Sequence, residues 1–218
     1  MFNGCTSLTT APKLPATTLS NNCYYYMFEG CTSLTSAPEL PATTIASNCY
    51  RAMFQGCTSL TSAPELSATT LIGGCYRDMF HGCTSLTSAP NLLATTLANN
   101  CYTSMFSGCT SLTQAPELPA TTLTYGCYSF MFQNCTSLTS APALPATTLY
   151  DSCYYYMFDS CSNLASIDVS FTVWEPTNAT TRWVNGVAAS GTFTCPAELP
   201  DTRGASNIPS GWTKVDAA

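Results

Sequence analysis

The sequence predicts an α/β solenoid, a stack of similar coils that each contribute a short parallel strand and a short helix. A Met-Phe pair recurs at residues 1, 27, 53, 79, 105, 131 and 157, always 26 residues apart and without insertion or deletion. Each unit reads approximately M-F-x-G-C-T-S-L-T-S-A-P-E-L-P-A-T-T-L-x-x-x-C-Y-x-x. A fixed period of about 20 to 50 residues is typical of solenoids, in which a unit buries its apolar face only against its neighbours. We number the coils from these pairs, so that coil 1 is residues 1–26 and coil 2 is residues 27–52.

The strand and the helix are predicted from one unit. Residues 34–37 (Leu-Thr-Ser-Ala) alternate apolar and polar side chains and suit a short strand, which Pro38 limits because proline lacks a backbone donor. Residues 49–54 (Cys-Tyr-Arg-Ala-Met-Phe) place apolar side chains at i, i+1, i+4 and i+5, which favours about two helical turns. Ser47 or Asn48 would cap this helix, and Gly56 would end it.

Composition excludes several classes of protein. The 218 residues include 6 Lys+Arg, 12 Asp+Glu and one His, and the sequence pI is about 4.4. Charged residues make up 8% of the chain, against roughly 25% in ordinary soluble domains. No apolar run reaches the ~18 residues that a membrane-spanning helix needs, and an acidic chain lacks the basic surface that binds nucleic acid. We therefore expect neither membrane insertion nor a nucleic-acid partner.

Stacking in register turns repeated residues into columns that form the core. One column consists of Leu8, Leu34, Leu60, Leu86, Leu112, Leu138 and Leu164, and the Met and Phe positions form two more. Of the 14 cysteines, 13 fall into two further columns, for which we favour buried free thiols. Disulfides in some coils are the alternative, because neighbours about 4.8 Å apart fall within bonding range. Zinc is disfavoured, since the cysteine spacings are 18 and 8 rather than two to four residues.

The F-x-G-C-x-S-L-T-S element, followed by a segment with proline, resembles the BspA-like leucine-rich repeats of bacterial surface proteins, especially those of gut Bacteroidales. The resemblance covers residues 1–167. It implies a leucine-rich-repeat-like, right-handed coil stack and an adhesion role at the cell surface. The family's unit is usually a few residues shorter, and the second cysteine column is an addition.

The two ends differ from the repeats. We predict six full units and a partial seventh over residues 1–167, then a non-repeat C-terminal cap over residues 168–218. All three tryptophans, Trp174, Trp183 and Trp212, lie in this cap. Within it we expect strands over 167–174 and 191–195 and a short helix over 178–184. No signal sequence is recognisable, and the start in mid-unit favours a piece of a longer chain.

Nothing in the sequence favours catalysis or a cofactor. His81 occupies a position where other coils carry Asn, Glu, Gln, Ser or Asp, so we interpret it as a surface residue rather than a base for Cys83. Glu39, Glu65 and Glu117 share a column, which predicts a solvated stripe with too few oxygen ligands for calcium. We therefore expect no enzyme activity, no cofactor and no metal site.

The candidate binding surface is the set of positions at which the coils differ. These positions hold Tyr, Ser, Asn, Gly, Asp and Arg, a palette that suits an adaptable recognition surface. A surface under no constraint usually carries Lys and Glu instead. The alternative interpretation is that these positions are exposed to solvent and vary freely. We call the following residues the binding stripe: Tyr25, Tyr26, Arg51, Arg77, Asp78, Thr103, Ser104, Ser129, Phe130, Tyr155 and Tyr156.

A threonine pair also recurs in every coil, from Thr17-Thr18 to Thr147-Thr148. Threonine ladders of this kind occur in ice-binding solenoids. We favour the simpler interpretation that threonine fits an extended segment and satisfies nearby backbone groups.

These observations together predict a non-enzymatic adhesion or recognition module. Its partner would be a host or bacterial surface protein or a glycan, and it would belong to a larger chain or assembly. We expect it outside the cell or on the cell surface. A phage tail or virion receptor-binding protein on the same scaffold is one alternative, suggested by the variable positions of the repeats and by the sequence of the C-terminal region. A passive structural spacer is another.

Overall fold

A computed structural model describes residues 1–217 as a stack of coils, one for each 26-residue unit. Parallel bridges join equivalent residues of successive coils, namely Thr10 with Ser36, Ser36 with Ser62, and Ser62 with Ser88. The predicted solenoid-like repeat fold is confirmed. The right-handed sense of the coil stays a prediction.

The predicted helix in each coil is wrong. No α-helix occurs within residues 1–217, and the segment expected to be helical is a run of turns whose hydrogen bonds alternate between two directions. At the start of coil 3 the Met53 N–H donates to the carbonyl of Tyr50, three residues back, at 3.2 Å. The next N–H, of Phe54, donates to the carbonyl of Met79 in the following coil at 2.9 Å. We call this segment, residues 20–31 and its equivalents, the turn ladder.

The physical reason lies in the backbone angles. Asn48, Ala52 and Gly56 have φ values of 51°, 52° and 71°, so every fourth residue is in the left-handed region that an α-helix cannot contain. Ser47, Asn48 and Gly56 therefore neither cap nor end a helix. Helices also pack about 8–10 Å apart, whereas parallel bridges hold coils about 4.8 Å apart. A turn ladder gives half of its donors to the next coil and so fits the closer spacing.

Side chains on the inner face of the turn ladder form most of the core. The Phe column is fully buried from Phe28 to Phe158, and consecutive rings stack with centroids 5.5–5.7 Å apart from Phe2 onward. The predicted leucine column is buried from Leu34 to Leu164, and Leu8 in coil 1 is partly buried. Identical side chains thus contact each other along the whole stack.

Both cysteine columns belong to this core, and all 14 cysteines are free thiols. Cys5 and Cys23 in coil 1 are exposed, and the other twelve are buried. The thiol of Cys83 donates to the carbonyl of Phe54 in the preceding coil at 3.1 Å, and the bond recurs in this column from Cys31 to Cys161. Burial raises the pKa of Cys49 to about 11 and that of Cys57 to about 12.

The other side of each coil is held differently. The predicted strand over residues 34–37 contracts to an isolated bridge at Ser36. Within residues 1–217, no backbone hydrogen bond involves the segments 11–16, 37–42 or 63–68. We call these segments and their equivalents the proline side. Buried Leu40 and Ala42 fix its position through packing instead.

Within residues 1–217, the strands longer than a single bridge all lie in the C-terminal region: β1 (Ser166–Asp168), β2 (Thr192–Cys195) and β3 (Thr213–Asp216). They form a parallel sheet in the order β1-β2-β3, and the bridge between Ser140 and Ser166 links it to coil 6. The strand predicted over 191–195 is confirmed as β2. The strand predicted over 167–174 is confirmed only at its beginning, where β1 ends at Asp168 and a single bridge follows at Val169.

The helix predicted over 178–184 is wrong, because the turn ladder continues through it. The Tyr154 N–H donates to Ala179 at 2.9 Å, and the Phe158 N–H donates to Trp183 at 2.8 Å. Trp183 lies 26 residues after Met157 and takes the Met position of one more coil. The repeat register therefore crosses residue 167, while the division into solenoid and cap stays a prediction.

Candidate binding stripe

The binding stripe lies on the turn ladder, and the ladder brings its residues together. Its members come from two columns, the last two positions of each unit. The Tyr26 N–H donates to Arg51 at 3.1 Å, and the Ala52 N–H donates to Arg77 at 2.8 Å. The Asp78 N–H continues this pattern to Thr103 at 2.9 Å. Each coil thus fixes the backbone of the next, whatever side chains the two positions carry.

The end of the stripe in coils 1–3 combines aromatic and charged groups. The rings of Tyr25 and Tyr26 are 4.0 Å apart, and the Arg51 guanidinium lies 5.3 Å from the Tyr25 ring. Asp78 accepts a hydrogen bond from Arg77 Nε at 3.3 Å and forms an ion pair with Arg51, whose Nε lies 3.7 Å away without a hydrogen-bond partner. A side-chain hydrogen bond with Tyr25 raises the pKa of Tyr26. These contacts orient a cation and two rings toward the same surface.

The middle of the stripe is closed to a partner at two positions. Thr103 is 6% exposed and Ser129 is 5% exposed. The Thr103 hydroxyl donates to the Gly126 carbonyl at 2.8 Å, and the Ser129 hydroxyl donates to the Ser152 carbonyl at 2.6 Å. Both hydroxyls bond within the protein, so they shape the surface. Ser104 is half-buried between them.

The end of the stripe in coils 5 and 6 is an aromatic cluster. Phe130 contacts Tyr155 edge-on at 5.3 Å and stacks on Tyr156 at 5.2 Å, and the two tyrosine rings are 4.5 Å apart. Arg182 adds a cation 5.1 Å from the Tyr156 ring, and its Nη2 lies 3.5 Å from Asp159. The two ends therefore repeat one arrangement, two tyrosines with an arginine over one of the rings.

Sequence reasoning missed Arg182 because it assigned that residue to the cap. The signal was present, since Arg182 follows Tyr156 by 26 residues. Two further rings, Tyr125 and Tyr150, are 46% and 53% exposed and lie at variable positions at the start of the ladder, outside the two columns of the stripe. Tyr25, at 36%, is the most exposed ring among the predicted stripe residues.

The neighbouring column of polar residues carries His81. Its ring is half-buried, and Nδ1 has no hydrogen-bond partner. The Cys83 thiol bonds to Phe54 rather than to the imidazole, and burial raises the Cys83 pKa well above its usual value. A thiol held in its neutral form and directed at a carbonyl lacks the arrangement of a cysteine nucleophile.

The remaining candidates lie on open surface. Glu39, Glu65 and Glu117 are exposed, as are all six threonine pairs. Among residues 1–217, no three His, Cys, Asp or Glu side chains are grouped to hold a metal ion. The same residues form no helix capable of crossing a lipid bilayer.

Comparison with known families gives one match. A family model described as BspA type leucine-rich repeat region matches residues 1–104 and 77–175, in six copies. No curated protein and no solved structure matches the chain significantly.

Proposed function

Because the chain belongs to the BspA-type leucine-rich repeat family, we propose that it is a non-enzymatic recognition module that binds a surface protein or a glycan through the binding stripe. Members of this family generally act as surface and protein-interaction repeats. We place the module outside the cell, on a bacterial surface.

One observation carries the proposal. Two adjacent columns vary from coil to coil, while the ladder carbonyls and the core columns beside them repeat without change. Variation that leaves the scaffold intact is what a recognition surface needs. Tyr and Arg dominate the ends of the stripe, and these residue types are enriched among the few residues that carry most of the binding energy in interfaces.

The geometry also indicates the mode of binding. Coils 1 and 6 are five spacings apart, so the two aromatic ends lie about 24 Å from each other. Both ends offer ring faces to the apolar side of a sugar or to an apolar side chain, and an arginine beside each can donate hydrogen bonds. The charges within the stripe and beside it pair with each other, so contact and hydrogen bonding would dominate over long-range attraction.

The test replaces the tyrosines at both ends. The variant Tyr25→Ser, Tyr26→Ser, Tyr155→Ser and Tyr156→Ser removes the rings from coils 1 and 6 only. Fluorescently labelled protein is applied to a printed glycan array and to intact epithelial and bacterial cells. We expect at least a tenfold loss of the binding that the original protein shows.

A matched control changes the same two coils on another surface. Thr17, Thr18, Thr147 and Thr148 are exposed, so their replacement by alanine should leave binding within twofold. Both variants should unfold at nearly the same denaturant concentration as the original protein. Equal binding by the tyrosine variant, or no binding by the original protein to any array or cell, would contradict the proposal.

A further inference from the structure

We propose that strand β3 is a docking edge for a second copy of this chain, so that two molecules pair their β3 strands in antiparallel orientation. The pairing is centred on Val215 and joins Lys214 of each copy to Asp216 of the other. It goes beyond the proposed function, because β3 carries no residue of the binding stripe.

Strand β3 is the open end of the C-terminal sheet. It pairs with β2 on one side, and within residues 1–217 no strand lies on its other side. The Thr213 N–H donates to the carbonyl of Gly191 at 2.9 Å, so Thr213 faces β2. Because successive residues of a strand direct their backbone groups to alternate edges, Lys214 and Asp216 face the open edge.

The edge is free over a short, defined stretch. The Arg203 side chain occupies its beginning, where Nη1 donates to the Trp212 carbonyl at 2.6 Å. In the stretch that follows, residues 213–216, all side chains are exposed except that of Lys214, which is half-buried. Val215 is 41% exposed. An exposed valine on an unpaired edge is a surface that a further strand can cover.

Charge selects the register of the pairing. Lys214 and Asp216 point to the same face of β3, and Lys214 Nζ lies 3.6 Å from Asp216 Oδ1 within the strand. In an antiparallel pair centred on Val215, Lys214 of each copy lies opposite Asp216 of the other, which places unlike charges side by side. Registers centred on Lys214 or on Asp216 would instead place like charges opposite each other.

The same register also satisfies the backbone. Lys214 and Asp216 face the open edge, so each opposing Lys–Asp pair exchanges two backbone hydrogen bonds. Val215 falls at the non-hydrogen-bonded position, where side chains approach most closely, so the two valines cover each other. Charges on an edge strand ordinarily discourage pairing. Here the order Lys-Val-Asp makes the strand complementary to itself, and this indicates a second copy as the partner.

The contact is small, so we expect weak and reversible association. Two strands of four residues bury much less than the roughly 1,200–2,000 Å² of a stable interface. A dissociation constant between about 1 µM and 1 mM is therefore expected.

The test is sedimentation equilibrium of the whole chain, over concentrations that bracket this range. The weight-average mass should rise from 23.2 kDa toward twice that value as the concentration increases. A reducing agent is present throughout, so that the exposed thiols of Cys5 and Cys23 cannot link two molecules.

Two charge reversals give the sharpest variants. Lys214→Glu and Asp216→Lys each place like charges opposite each other, so each variant alone should associate at least tenfold more weakly. An equal mixture of the two should associate as the original protein does. In the mixed pair the new glutamate meets the new lysine, and the two unchanged charges also meet each other.

Val215→Asp provides a further variant at an exposed side chain, and it should also weaken association at least tenfold because two carboxylates would meet at the centre. Glu117→Lys is the matched control. It changes the net charge as Asp216→Lys does, but lies in coil 5, and it should alter association less than twofold.

A constant mass of 23.2 kDa at every concentration would overturn the proposal, and would mean that the charges keep this edge free. Undiminished association of the Val215→Asp variant, or a mixture of the two charge reversals that associates no better than either alone, would also overturn it. The readout is the mass of the protein without any ligand, so this proposal and the binding stripe can fail independently.

Discussion

The two sides of each coil are held against the neighbouring coils in different ways. On the turn ladder, alternate N–H groups donate to the next coil, as Tyr76 does to Cys101 at 3.0 Å. On the proline side, segments such as 37–42 make no backbone hydrogen bond, and buried Leu40 and Ala42 hold them. The difference teaches where a repeat can vary. On the ladder the backbone fixes the spacing, so exposed side chains are free to change, whereas on the proline side the side chains themselves set the fit.

The ladder side also tolerates unusual backbone angles. Tyr26, Phe130 and Tyr156 have φ values of 54°, 56° and 54°, a region that costs non-glycine residues about 1–3 kcal/mol. Each of these residues makes two backbone hydrogen bonds, which the repeating register provides, and these two bonds impose the angle. Four predictions test this contrast between the two sides.

The largest effect should come from alkaline pH, which acts on the ladder side because both cysteine columns lie there. Burial raises the pKa of Cys57 from 9.0 to about 12 and that of Cys49 to about 11. Unfolding exposes these thiols, which then lose protons above pH 9 while the folded thiols keep them. The stabilisation is therefore complete below pH 9 and is lost as the pH rises toward 12. Guanidinium unfolding at pH 8, 9 and 10.5 should show a steep fall in the free energy of unfolding.

The double variant Cys49→Ala, Cys57→Ala is the control for this prediction. It should show a shallower fall, because two of the buried thiols no longer titrate. A free energy of unfolding that stays constant between pH 8 and 10.5 would show that the thiols are more accessible than the structure places them.

The second prediction breaks the ladder at one residue. Ala52→Pro removes the N–H that donates to Arg77 at 2.8 Å and cannot adopt the φ of 52° at this position. We expect a loss of at least about 3 kcal/mol in the free energy of unfolding. Urea unfolding followed by circular dichroism measures it, and Ala52→Gly, which accepts the angle, should cost much less. Similar losses in the two variants would argue against the left-handed angle.

The third prediction removes one ring from the stacked column. Phe80 has no exposure and lies 5.7 Å from the rings of both Phe54 and Phe106. Phe80→Ala should cost about 3–5 kcal/mol, since the cavity is shared by two neighbours. The end residue gives the comparison, because Phe2 contacts one ring only and is partly exposed. Phe2→Ala should cost less than half as much in the same unfolding experiment.

The smallest effect should come from adding proline to the proline side. Four coils have proline at the position of Ser67, and the Ser67 N–H donates no hydrogen bond. Ser67→Pro should therefore stabilise the protein by about 0.4–1 kcal/mol through the unfolded chain. Differential scanning calorimetry should show a small rise in Tm. A fall of several degrees would mean that coil 3 differs from its neighbours at this point.

The repeat register made the stack and its core predictable. Once the Met-Phe spacing is known, burial of Leu34 and Phe54 follows from the need to cover each coil with the next. The turn ladder did not follow, because apolar residues at i, i+1, i+4 and i+5 fit a period of four as well as a helix. The distinguishing signal is a turn-forming residue at every fourth position, such as Asn48 and Gly56. Tyr or Phe at the position between these two obscures the signal in some coils.

The candidate site was predictable in outline for the same reason. Register alone puts Tyr25 beside Arg51 and Phe130 beside Tyr156. It does not tell which hydroxyls turn inward, as those of Thr103 and Ser129 do, because that depends on the local carbonyls.

The register that runs from Met1 to Trp183 also has a consequence for how such a chain can change length. Any two units meet at the same junction, so recombination between two copies in the gene would delete or duplicate a whole unit without disturbing either end. Deletion of residues 79–104, for example, would join Asp78 to Met105 in the same frame in which it now precedes Met79. The length of the molecule can thus grow or shrink in steps of one coil, and the distance between its two aromatic ends would change with it.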